Sequence, residues 1–180
     1  MKRLFLLLFL LVPAFCEAQP SVIYTTYPSA DPTTDNGVAY ASGDLIGGKL
    51  TFTGSLRSNV GTGQLTSVRI SDSNKQEADL ELVLFSDNPS STTFTNNSAF
   101  DIAAADRDKV VAIISLGSTA RFAYSVTGIV YLGNLLIPVR AIGSTSGSPQ
   151  STLYGALVSR GTPTYTSTSA LSIRLSIVND

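Results

Sequence analysis

The sequence of 180 residues predicts an all-β fold, an antiparallel β-sandwich of jelly-roll-like type with seven to nine short strands. Short apolar and β-branched runs recur along the chain, and clusters of Gly, Pro, Asn, Asp and Ser separate them. The run at residues 171–177 alternates strictly between aliphatic and polar residues, as a strand with one buried face does. Only the segment near residues 102–109 has the composition of a helix, and it is one or two turns long.

The C-terminal strand is expected to add to a sheet that the earlier strands have already formed. Its aliphatic positions are Leu171, Ile173, Leu175 and Ile177, which a period of two places on one face. Further strands are predicted over residues 49–56, 64–70, 78–85, 110–116, 121–126, 129–142 and 153–159. The run at 110–116 lacks alternation, which predicts a strand buried on both faces. Gly133-Asn134 is a candidate hairpin turn, and Pro138 favours an edge strand.

The N-terminus divides into a leader and an arm. Residues 1–18 have a basic start, a short apolar run and small residues before Gln19, a pattern typical of a cleaved signal peptide. Residues 19–44 are rich in Pro, Thr, Ser and Asp, which predicts an extended N-terminal arm. The arm either lies across its own sandwich or reaches a neighbouring subunit. Residues 45–180 are predicted to form a single β-sandwich domain.

Composition excludes several classes of function. The formal net charge is −1, and only 12 of 180 residues are Lys or Arg, so the sequence predicts no nucleic-acid surface. Histidine is absent, and the single cysteine, Cys16, lies in the predicted leader. The side chains that most often act as general base, thiolate nucleophile or zinc ligand are therefore missing. We predict a protein that is not an enzyme and that has no cofactor, no catalytic residue and no metal ligand of this kind.

Two groups of carboxylates remain as candidates for chemistry. Asp101, Asp106 and Asp108, with Asp87, could offer oxygen ligands to Ca²⁺, although their spacing does not match an EF-hand loop. The alternative, which the sequence favours, is that they are solvated charges beside a helical turn; the question of a calcium site stays open. Residues 77–81 carry three acidic side chains. Their alternation favours charges on the solvent-exposed face of a strand over the pair of catalytic carboxyl groups that a glycosidase needs.

Five residues are candidates for contact with a partner. Tyr24 and Tyr27 lie in the arm, where aromatic side chains can anchor a neighbouring surface. Tyr154, Arg160 and Tyr165 surround the turn that follows the strand at residues 153–159. The sequence contains no Trp to form the usual platform for a sugar ring.

Four segments carry a resemblance to a known group of proteins. They are YASGDLIGGKLTF at residues 40–52, LELVLFSDNPSSTTFT at 80–95, AFDIAAAD at 99–106 with the following Lys109-Val110, and LYGALVSRGTPTY at 153–165. In this order they resemble a family of largely uncharacterised proteins encoded among the virion genes of tailed phages and prophages, over residues 40–180. The resemblance implies a non-enzymatic virion component, such as a capsid-decoration protein. Its partner would be the major capsid protein or copies of itself, for example in a trimer.

The leader distinguishes this chain from a component that is assembled in the cytoplasm. Either the start of the chain is assigned too early, or this protein has been recruited for export. The expected location is accordingly the virion, or the periplasm or exterior if the signal peptide functions, with no membrane span in the mature chain. The alternative function is an exported bacterial β-sandwich for adhesion or carbohydrate binding.

Overall fold

The computed structural model describes residues 22–57, 61–117, 121–123, 127–142 and 150–179, and the predicted leader at 1–18 lies outside them. Within these residues there are ten strands and one 3-10 helix, Ala104–Lys109. The strands are β1 (Val22–Thr26), β2 (Leu45–Phe52), β3 (Thr62–Asp72), β4 (Leu80–Phe85), β5 (Val110–Leu116), β6 (Arg121–Ala123), β7 (Gly128–Leu132), β8 (Ile137–Arg140), β9 (Leu153–Ser159) and β10 (Leu171–Asn179).

The strands form two antiparallel sheets that pack face to face. The six-stranded sheet has the order β1-β10-β3-β7-β6, with β8 also paired to β3, and the four-stranded sheet has the order β2-β9-β4-β5. The first strand pairs with the last, and the chain crosses repeatedly from one sheet to the other, which is the jelly-roll arrangement. The predicted fold class is confirmed, with ten strands in place of the seven to nine that the sequence predicts, and the short helix lies where the sequence places it.

Alternation along β10 determines which side of the six-stranded sheet is the core. Leu171, Ile173, Leu175 and Ile177 are at most 2% exposed, whereas the serines and Arg174 between them are half-buried. The four aliphatic side chains pack against Leu82, Leu84, Leu153 and Leu157 of the facing sheet. Burial of this apolar surface is the main favourable contribution to folding.

The segment of β7 and β8 does not contain the hairpin predicted at Gly133-Asn134. β7 pairs with Val68–Asp72 and β8 pairs with Thr62–Leu65, and both pairings are antiparallel to β3. The two strands therefore run in the same direction, as one strand with an interruption. Asn134 takes a φ of 57°, and the amide of Leu135 donates to the Thr66 carbonyl at 3.0 Å, so the interruption stays bonded to β3. Pro138 lies in β8, whose strand partner within the described residues is β3, as an edge position requires.

β5 differs from the strand with two buried faces that its composition predicts. It lies at the edge of the four-stranded sheet, and its residues alternate, with Ile114 3% exposed and Ile113 59% exposed. A continuous apolar run does not distinguish a central strand from an edge strand with aliphatic residues on both faces. Here the outer face of the edge strand simply remains in solvent.

The N-terminal arm packs on its own chain throughout residues 22–44. β1 pairs with β10 along its whole length, and the chain then crosses to the other sheet, where the amide of Ser29 donates to the Thr51 carbonyl at 2.7 Å. Farther on, the amide of Tyr40 donates to the Pro163 carbonyl at 2.9 Å. The ring of Tyr40 meets that of Tyr165 edge to face, with 5.9 Å between centroids. These contacts correspond to the arm that lies across its own sandwich.

The edge position of β5 can be tested with two neighbouring isoleucines. We expect Ile114→Ala to lower the free energy of unfolding by about 2–5 kcal/mol, because it leaves a cavity between the sheets. Ile113→Ala removes an exposed side chain, and we expect a loss below about 1 kcal/mol. Urea denaturation of both variants measures the difference, and equal losses would show that β5 is buried on both faces.

Candidate interaction surface

The outer faces of the two sheets differ in how far other segments of the chain cover them. On the four-stranded sheet, the segment that links β4 to β5 folds back over the strands. Its side chains Phe94, Phe100 and Ile102 pack on a second apolar cluster, formed by Leu45, Val83, Phe85, Ala156 and Val158. The rings of Phe94 and Phe100 lie 5.6 Å apart, and that of Phe94 meets Phe85 at 6.4 Å. This segment therefore covers the part of the face formed by β2, β9 and β4, while Ile113 on the edge strand β5 remains exposed.

A buried carboxylate holds the covering segment in place. Asp106 is fully buried, and it accepts hydrogen bonds from the Ser91 amide at 2.9 Å, from Thr92 Oγ1 at 2.8 Å and from Lys109 Nζ at 2.9 Å. Lys109 Nζ also donates to the Asn88 carbonyl at 2.7 Å. Burial by itself would raise the pKa of Asp106, but these hydrogen bonds and the ammonium charge outweigh it, so the pKa lies below its usual value.

This use of Asp106 bears on the calcium hypothesis. Its carboxylate already binds three donors of the chain, whereas Asp101 and Asp108 are exposed. Within the described ranges, no three Asp, Glu, Cys or His side chains converge closely enough to hold a metal ion. What the geometry supports for Asp106 is a role in anchoring the loop.

The outer face of the six-stranded sheet, here named the open face, carries no such covering segment among the described residues. Exposed apolar side chains occupy it: Ile23 is 67% exposed, Leu136 68% and Phe122 54%. Ile23, Leu136 and Tyr131 border a shallow depression of about 310 Å³, with Thr66, Ser67, Asn134 and Ser176 as its other lining residues. Exposed apolar groups around a polar floor are typical of a surface that binds a partner.

At the centre of the open face, two matching pentapeptides lie side by side. Residues 67–71 read Ser-Val-Arg-Ile-Ser and residues 172–176 read Ser-Ile-Arg-Leu-Ser, and they pair antiparallel in full register. The aliphatic residues of both face the core, so every serine and both arginines face outward. We name these outward residues the serine–arginine patch: Ser67, Arg69, Ser71, Ser172, Arg174 and Ser176.

The two arginines of the patch, Arg69 and Arg174, stand directly opposite one another. Like charges in this position are destabilising. Arg69 Nη2 lies 3.5 Å from Ser71 Oγ, and the guanidinium of Arg174 lies 4.8 Å from the ring centroid of Tyr27. Among the described residues no carboxylate is within ion-pair distance of either, since the ion pairs there join Lys109 to Asp106 and Arg160 to Glu81.

A second tyrosine borders the patch on its other side. Tyr131 of β7 is in register with Arg69, so it shares the open face, and it is 46% exposed. Its ring folds back over Gly133, where an added Cβ would lie 2.9 Å from the ring. Glycine at this position therefore leaves free the space that the ring occupies.

The five residues predicted for partner contact do not form one site. Tyr27 lies on the open face, and Tyr24, 40% exposed, is opposite the buried Ile177 at the edge of the same sheet. Tyr154 lies on the covered side beneath Lys49 Nζ, 5.6 Å from the ring centroid. Arg160 pairs with Glu81 there at 2.5 Å.

Tyr165 is the prediction that the structure corrects. It is 1% exposed and belongs to the core between the sheets, so it does not reach a partner. Burial, with Asp72 nearby, raises the pKa of its phenol. The apolar void that it lines with Leu80 and Val130 measures about 20 Å³, room for about one water molecule. A tyrosine in a turn-rich segment appears exposed in the sequence, but here the turn folds over the end of the sandwich.

The sequence interpretation missed Arg69, Tyr131 and the pairing of Arg174. One signal was available, because the two Ser-aliphatic-Arg-aliphatic-Ser strings are visible in the sequence. Their separation by about a hundred residues conceals the fact that they are strand neighbours.

A scan of protein-family models and a search of curated proteins find no match to this chain. Among the residues that the structure describes, no helix has the length and apolar character needed to cross a bilayer.

The anchoring role of Asp106 predicts a pH-dependent contribution to stability. Because the folded-state pKa lies below the usual value of 3.8, the contribution is present above about pH 4 and is lost as the pH falls through the folded-state pKa. We expect Asp106→Asn to lower the free energy of unfolding at pH 7 by about 2–3 kcal/mol, because it weakens charge-assisted hydrogen bonds. Thermal melts from pH 7 to pH 3 should show the two proteins converging, while a constant difference contradicts the assignment. Asp108→Asn, an exposed neighbour, is the matched control.

Proposed function

We propose that this protein is a non-enzymatic structural and interaction protein, an accessory β-sandwich of the kind that decorates tailed-phage particles. It attaches to a protein surface through its open face. The observation that carries the proposal is the difference between the two sheets: the chain covers most of the outer face of one, and on the other it leaves aromatic and aliphatic side chains exposed beside two half-buried arginines.

The composition of the open face supports binding to a protein. Tyrosine and arginine are the residues most often found at the energetic centre of protein interfaces, and both occur here next to exposed aliphatic groups. Tyr27, Arg174, Arg69 and Tyr131 follow one another across the sheet, while Ile23 and Leu136 lie on either side of the neighbouring depression. Since β10 and β3 each pair with a strand on either side, the side chains that they carry stand on a well-ordered base, which reduces the entropy lost on binding.

The absence of histidine from the sequence, and the placement of its one cysteine in the predicted leader, support a function without catalysis. The resemblance of residues 40–180 to phage virion proteins supports the particle as the place where the partner is found. Either the major capsid protein or another copy of this chain can present that partner surface.

Attachment to particles tests the proposal. We expect Ile23→Asp and Leu136→Asp each to reduce the protein recovered with purified phage particles at least tenfold, because each places a charge at the centre of an apolar contact. Quantitative immunoblotting of particle fractions measures the loss, and unchanged melting temperatures show that the variants fold.

The matched control is Thr93→Asp, which introduces the same charge at an exposed position on the covered side. Recovery equal to wild type is expected for it. If the wild-type protein is absent from every particle fraction, or if all three variants are recovered equally, the proposal is wrong.

One observation favours the second function, an exported module for adhesion or carbohydrate binding. Tyr27 and Tyr131 both lie on the open face, at opposite ends of the arginine pair, where two rings could stack on sugars. In that case a glycan array should show binding that Tyr27→Ala and Tyr131→Ala each weaken, while Tyr154→Ala on the other sheet does not. An array without binding eliminates this function.

A further inference from the structure

We infer that the serine–arginine patch is an anion-binding site that recognises carboxylate side chains on an acidic protein surface. The inference rests on the proposed function, and it names the chemistry of the partner that the open face accepts.

The first step is the arrangement of charge. Arg69 and Arg174 are direct cross-strand neighbours, so their Cα atoms are about 5 Å apart and their charges repel. Within the described part of the chain no carboxylate neutralises either, although two other basic side chains, Lys109 and Arg160, have acidic partners. An anion from another molecule would relieve the repulsion, and it would therefore bind with a contribution that a single exposed arginine does not provide.

The second step is the supply of hydrogen-bond donors. A guanidinium has five N–H donors, and Arg69 uses one in a long contact of 3.5 Å to Ser71. The guanidinium carbon of Arg174 lies over the ring of Tyr27, 4.8 Å from its centroid, and this cation–π contact does not use the N–H donors in hydrogen bonds. The hydroxyls of the half-buried Ser71, Ser172 and Ser176 add further donors, whereas Ser67 is only 8% exposed. Paired N–H groups of arginine fit the two oxygens of a carboxylate in a bidentate contact.

The third step distinguishes a protein from other polyanions. Nucleic acids are bound through many phosphate contacts, and the patch offers only the two arginines Arg69 and Arg174. Ile23, Leu136 and Phe122 are exposed beside the patch, and such apolar groups gain free energy only if the partner also covers them. A protein surface with acidic groups next to apolar ones satisfies both demands, whereas a sulfated glycan satisfies only the first.

Binding of defined probes to the purified protein tests the inference. We expect a fluorescein-labelled peptide that alternates Glu with Leu to bind in a fluorescence anisotropy titration, with an affinity that falls at least tenfold between 20 and 300 mM NaCl as the charges are screened. Arg69→Gln with Arg174→Gln should weaken binding at least tenfold. The matched control, Arg107→Gln at an exposed arginine of the 3-10 helix, should bind as the wild type does.

A second readout separates binding from a structural role. Because Arg69→Gln removes the repulsion between opposed charges, we expect its melting temperature at low salt to equal or exceed that of the wild type. A fall of several degrees would mean that the arginine supports the fold, and it would overturn the inference. Rescue of peptide binding by Arg69→Lys with Arg174→Lys should be partial, since lysine lacks the paired donors.

Other outcomes overturn the carboxylate assignment. Equal binding of the peptide by the wild type and the double Gln variant would do so, and so would tighter binding of heparin or of a DNA duplex than of the peptide. The proposed function is tested separately, since Ile23→Asp leaves both arginines in place. If Ile23→Asp abolishes attachment to particles while the double Gln variant attaches normally, the open face is the docking surface and the inference about acidic groups is wrong.

Discussion

The antiparallel pairing of β10 with β3 is the interaction on which the rest of the structure depends. Its register turns Leu171, Ile173, Leu175 and Ile177 toward the other sheet, and it turns the serines and Arg174 outward. β1 adds to the free side of β10, and β7 with β8 adds to the free side of β3. A slip of one residue would move the arginines into the core. The pairing that builds the hydrophobic core is therefore also the one that assembles the serine–arginine patch.

The difference between the two outer faces follows from the position of the long segment that connects β4 to β5. The segment between β4 and β5 folds over the four-stranded sheet, and it is held there by a buried carboxylate that would be costly to leave without its donors. Phe94 and Phe100 cover most of that face, and Arg160 on the same side is paired with Glu81. The six-stranded sheet receives no such segment within the described residues, so its apolar and cationic groups remain available to another molecule.

The sequence was informative where one physical effect dominates, and less so where tertiary context decides. Strict alternation in residues 171–177 identified a strand with one buried face, because no other structure produces a period of two. The same rule failed for β5, since aliphatic residues on an edge strand look like a buried run. Tyr165 shows the opposite error, since the sequence predicted it to be exposed and the structure buries it. Its burial depends on how Tyr40 of the arm packs against the turn. The arginine pair could not be found without the register, which is a property of two strands.

The matching pentapeptides give the open face a local two-fold character that the fold does not require. Serine and threonine at the arginine positions would keep the alternation and avoid two opposed charges. Under the proposed function the two arginines serve a contact outside the fold, and that contact would offset the cost of opposing their charges. The neighbours of the pair support this interpretation, because Tyr27 stacks on one arginine and Tyr131, over Gly133, borders the other. Rings and guanidinium groups that are already positioned by the sheet have little freedom left to lose, so the central strands favour binding as well as folding.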